Sequence, residues 1–75
     1  MTPTPDGLLD RANPAWGRFI DRLVREIEDL ADHGCKGSRQ QLLDHCRRKF
    51  GGYTDADHLL AALDRAPTFA AERFQ

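Results

Sequence analysis

The stretch NPAWGRFIDRLVREIEDLADHG, from Asn13 to Gly34, decides the fold. At about 100° per residue, Trp16, Phe19, Ile20, Leu23, Val24, Ile27, Leu30 and Ala31 gather into one apolar arc of roughly 140°. No charge interrupts that arc. Arg18, Asp21, Arg22, Arg25, Glu26, Glu28, Asp29, Asp32 and His33 fill the opposite side, where Asp21 before Arg25 is the favourable acid-first i,i+4 order. Asn13 is a suitable N-cap, Pro14 fits the first helical position because no amide hydrogen is needed there, and Gly34 can close the C-terminus in the left-handed conformation. The spacing predicts a helix of about 20 residues, about 30 Å long. Gly17 is its one local flaw, costing about 1 kcal/mol against Ala. A close approach by another backbone is the expected reason for it.

The chain beyond this helix is short. Its 75 residues allow one domain with one small core, a size at which a partner or an oligomer often adds stability. The net charge of −1 excludes a uniformly basic protein, so binding to nucleic acid or to an anionic membrane would need a local patch. Charge is unevenly placed: residues 1–33 hold seven acids and four bases, residues 34–54 one acid and five bases, and residues 55–75 four acids and two bases. A basic middle therefore lies between acidic flanks. Nothing near the N-terminus resembles a signal peptide, and no apolar run approaches membrane-spanning length. A soluble, cytoplasmic protein is expected, with Cys35 and Cys46 reduced.

Residues 1–7, with Pro3 and Pro5 alternating with Thr2 and Thr4, read as an extended arm, and residues 8–75 as a single helical domain opened by Leu8 and Leu9. After Gly34, Cys35-Lys36-Gly37 forms a short turn. Ser38 with Gln41 is a capping-box pattern and predicts a second helix over 38–50, with Leu42, Leu43, Cys46 and Phe50 inward. Gly51-Gly52 ends it. Thr54 with Asp57 suggests a cap for a third helix over 54–66, its inner face built from Ala56, Leu59, Leu60, Leu63 and Ala66, with Pro67 as the stop. Thr68 suggests the cap of a short fourth helix; Phe69 and Phe74, five residues apart, cannot share one face, so one closes the core and the other stays outside. The predicted fold is an all-α bundle of three helices plus a short fourth C-terminal one.

Only one charge cluster stands out. Lys36, Arg39, Arg47, Arg48 and Lys49, joined by His45, suit a phosphate or an acidic protein partner. Against that, Arg47-Arg48-Lys49 occupy a helix's last turn, where the dipole favours cations in any protein, and steps of about 100° fan them around the axis. Tyr53, in the turn beyond, is the first aromatic to suspect of a contact role, and Phe74 the second.

A helix, a glycine-containing turn and a helix is also the outline of a DNA-binding helix-turn-helix. Asp55, Asp57 and His58 at the start of the would-be recognition helix oppose that reading, since acids there repel phosphate. His33, Cys35, His45, Cys46 and His58 match no zinc-site spacing, and Cys46 falls on the apolar face, where it acts as a small hydrophobe. His45 and Cys46 are adjacent on a helix and point about 100° apart, which rules them out as a nucleophile pair. No catalytic constellation, cofactor or metal site is expected. The sequence therefore suggests a non-enzymatic protein-interaction module using Lys36, Arg39, Arg47, Arg48, Lys49 and Tyr53, with a nucleic-acid-binding regulator as the alternative. Homodimerisation is compatible with either.

Overall fold

The computed structural model describes residues 11–51 and 54–74, and is all-α. Helix α1 spans Trp16–Asp32, α2 Arg39–Phe50, α3 Ala56–Arg65 and α4 Thr68–Arg73. The expected arm over 1–7 and the leucines that follow it lie outside the described residues.

The long apolar arc forms α1, but the helix starts later than its cap signal suggests. Asn13 Oδ1 accepts the Ala15 N–H at 2.9 Å and its carbonyl accepts the Trp16 N–H at 2.9 Å, so Asn13 orders a turn in front of the helix instead of capping it. The C-terminus closes as expected on Gly34, with φ of +80°. The Gly34 N–H reaches the Ala31 carbonyl and the Cys35 N–H the Leu30 carbonyl, each at 3.0 Å, a Schellman pair that satisfies two orphan carbonyls. Gly17 has a different explanation from the expected one. It is exposed, and among the described residues a Cβ added there would meet nothing within 4 Å, so none of their backbones approaches it.

The capping box of α2 is present in full. Gln41 N–H donates to Ser38 Oγ at 3.2 Å, and Ser38 N–H donates to Gln41 Oε1 at 3.0 Å. Gly51, with φ of +78°, ends the helix. At α3 the cap is Asp55 and not Thr54: Asp55 Oδ1 accepts the His58 N–H and His58 Nδ1 accepts the Asp55 N–H, both at 3.0 Å. Thr54 sits beneath this turn at 1% exposure, and its hydroxyl has no partner among the described residues. Thr68 is likewise not a cap; Pro67 holds that position and its carbonyl accepts the Ala70 and Ala71 amides at 2.9 and 3.0 Å.

Ile20, Leu23 and Ile27 form the floor of the core, covered by Leu42, Leu43 and Cys46 from α2, Leu59, Ala62 and Leu63 from α3, and Ala70 and Phe74 at the C-terminal end. The inner face of α3 is turned from the expected one. His58 and Ala62 are inside, while Ala56 and Leu60 are exposed. His58 is fully buried, its ring 4.6 Å from Trp16 and 5.2 Å from Phe19 between centroids, and these aromatic contacts set the rotation of the helix. Phe74 closes the core at 3% exposure and Phe69 stands out at 48%, which settles the division between the two rings. An isolated parallel bridge between Gly37 and Phe74, with Gly37 N–H donating to the Arg73 carbonyl at 3.4 Å, ties the first interhelical turn to the end of α4.

Candidate functional site

The basic residues of α2 divide according to their direction around the helix. Leu42, Leu43, Cys46 and Phe50 set the inward side, so Lys49 and Arg47 fall on the two flanks and Arg48 points straight out. The flanking pair is engaged inside the domain. Lys49 Nζ donates to Glu26 Oε1 of α1 at 2.7 Å, and Arg47 Nε donates to the Thr54 carbonyl at 3.1 Å, bracing the turn into α3.

Glu26 is the residue that sequence reading placed wrongly. Periodicity places it on the solvated arc of α1, yet it is 8% exposed and receives two groups from α2, Lys49 and His45, the latter with Nε2 2.6 Å from Oε2. Burial pushes its pKa up. The hydrogen bonds and positive charge of Lys49 and His45 outweigh burial and hold the carboxyl below its ordinary value. An ionised carboxylate only accepts hydrogen bonds, so His45 Nε2 carries the hydrogen between them. The hydrogen bond to Glu26, followed by its charge, raises the Lys49 pKa. Next to this network the Cys46 thiol is fully buried, and burial, reinforced by the Glu26 charge, pushes its pKa up to about 11. Cys46 is thus the core residue its position implied. Cys35 is exposed, and both thiols are free.

Lys36, Arg39 and Arg48 are exposed and have no ion-pair or hydrogen-bond partner among the described residues. Arg39 and Arg48 are nine residues apart on one helix, which at about 100° per residue sets them on opposite sides of its axis. The five described residues of the six picked from sequence therefore do not fall into one patch; Tyr53 lies outside the described residues. Phe74, suspected as an exposed aromatic, is in the core and offers no surface.

The start of α3 is likewise committed to the fold. Asp55 and His58 complete each other's cap, and the His58 ring is enclosed by Trp16 and Phe19. Its Nδ1 also lies 2.8 Å from Asp55 Oδ1. Sequence reading does not find the tertiary role of Glu26 or the buried capping role of His58. The available signals were the position of Glu26 at the very edge of the apolar arc, beside Phe19, and the Asp55-x-x-His58 spacing.

Near the Gly37–Phe74 bridge lies a hollow of about 150 Å³, lined among others by Leu30, Leu42, Phe74, Cys35 and His45. Among the described residues no group of three or more His, Cys, Asp or Glu side chains is placed to share a metal ion, and no helix is long and apolar enough to cross a membrane. The chain matches no family model, and neither the curated proteins nor the solved structures contain a significant match.

Proposed function

We propose that this protein is a small, non-enzymatic helical interaction module that binds a protein partner through charged helix surfaces, working in the cytoplasm. The observation behind this reading is the division among the cations of α2 and of the turn before it. Arg47 and Lys49 stabilise the domain, whereas Lys36, Arg39 and Arg48 extend into water with no internal partner among the described residues. Holding long cationic side chains out from a rigid helix suits recognition of carboxylates on another protein. Tyr53, which follows α2 in the sequence, stays in the proposed set of residues.

Affinity capture from the native host with wild type and with a Lys36→Glu/Arg39→Glu/Arg48→Glu variant tests it. The variant should keep its helical circular-dichroism spectrum and lose the captured protein; unchanged capture would sink the reading. Arg47→Glu/Arg48→Glu is a less clean variant, because Arg47 also holds the Thr54 carbonyl.

The same cations support the alternative of a nucleic-acid-binding regulator, since α2 and not the capped start of α3 would have to meet phosphate. A mobility shift on DNA and RNA that weakens steeply with salt would favour it.

A further inference from the structure

Arg18, Arg22 and Arg25 sit at i, i+4 and i+7 on the outer face of α1, and all three are exposed. At about 100° per residue they fall within roughly 60° of one another. They form one row about 10 Å long. The expected intrahelical partner of Arg25 is occupied elsewhere, because the Asp21 carboxylate takes the guanidinium of Arg65 from α3. None of the three arginines has an ion-pair partner among the described residues. Two adjoining hollows run along the row. One, of about 440 Å³, is lined among the described residues by Ala15, Arg18, Phe19, Asp21 and Arg22; the other, of about 180 Å³, by Asp21, Arg22 and Arg25.

The outer face of α3 is the complement of this row. Asp57, Leu60 and Asp64 are exposed there, Leu60 at 44%, one helical turn apart. Asp57 and Asp64 have the same seven-residue separation as Arg18 and Arg25, and therefore the same span of about 10 Å. Leu60 lies between them as Arg22 lies between the outer arginines.

We propose that the Arg18–Arg22–Arg25 row of one copy docks the Asp57–Leu60–Asp64 face of a second copy. The two carboxylates meet the outer arginines, and Leu60 packs on the aliphatic stem of Arg22. Helix α3 buries His58, Leu59, Ala62 and Leu63, while α1 turns its apolar arc inward. The two faces thus look away from each other across the α1–α3 pair. The contact is head-to-tail and each copy keeps a free face at either end. Exposed ion pairs are individually weak and screened by salt, so the association is concentration-dependent and salt-sensitive. It uses α1 and α3 and is independent of the α2 surface.

Sedimentation velocity across a concentration series at about 0.02 M and about 0.5 M salt reads it directly, because screening differs several-fold between the two. Average mass should rise with concentration at low salt and fall back to the monomer at high salt. Arg18→Glu/Arg25→Glu and Asp57→Lys/Asp64→Lys variants should each stay monomeric with helical spectra intact, and mixing them should restore association, since each then supplies the face the other needs. The milder Arg22→Gln should weaken association about threefold, which keeps the test informative if a charge reversal disturbs folding. A monomer at every concentration in low salt, association that survives 0.5 M salt or the arginine reversal, or a monomer whose arginine row instead shifts a DNA duplex, would each overturn the proposal.

Discussion

Glu26 occupies the boundary between the apolar and polar sides of α1, and its setting there makes its charge a structural element. Its carboxylate joins α1 to α2 through Lys49 and His45 at 2.7 and 2.6 Å. A carboxyl whose folded pKa is lowered contributes stability that is complete above its unfolded pKa and is lost as pH falls through the folded one. Urea unfolding from pH 7 downward should therefore show a loss beginning below about pH 5, and Glu26→Gln should remove its share of that slope. At neutral pH the variant should unfold about 1–2 kcal/mol more easily. A pH profile identical to wild type would count against the network. Gly17 makes the opposite case. Its surroundings leave open space for a methyl group, so Gly17→Ala should stabilise the fold by about 0.5 kcal/mol, raising Tm by about 2–4 °C in a thermal melt.

Among the helices, legibility followed the distance over which each one's instructions are written. Helix α1 and the start of α2 depend on near neighbours: an uninterrupted apolar arc, a Ser38-x-x-Gln41 box, a glycine at φ of +80°. These were readable. Helix α3 carries Leu59-Leu60-Ala61-Ala62-Leu63, a run that fits two inner faces equally well. The choice is made by His58 seating against Trp16 and Phe19, about 40 residues away in sequence. The ion partners of Glu26, 19 and 23 residues away, are just as invisible to local periodicity. The α3 face can be checked by truncation: Leu59→Ala should cost about 2–4 kcal/mol in denaturant unfolding, and Leu60→Ala less than about 0.5 kcal/mol. Ser38→Ala should cost about 1 kcal/mol by removing one half of the capping box. The cation cluster was legible as composition but not as a surface, because direction around a helix and tertiary pairing, not count, decide what faces a partner.

For the molecule as a whole, a small core that all four helices share and Phe74 closes makes opening a shared event. The Gly37–Phe74 bridge links the first turn to the last residues, and Phe74 fills the core from there. Cys46, fully buried with its pKa pushed up to about 11, should be alkylated only through molecules that have opened, while exposed Cys35 reacts at once. Mass-spectrometric alkylation at rising urea should place the Cys46 modification midpoint on the circular-dichroism transition; modification well before that transition would show that α2 detaches alone. The ring contact between Trp16 and His58 brings one more consequence. Trp16 is the only tryptophan in the chain, and the first helix places it against the buried imidazole of the third. The protein thus carries a native optical reporter. Its emission follows the seating of α3 on α1 with no dye attached, and binding or assembly events at either helix can be followed in the unlabelled molecule.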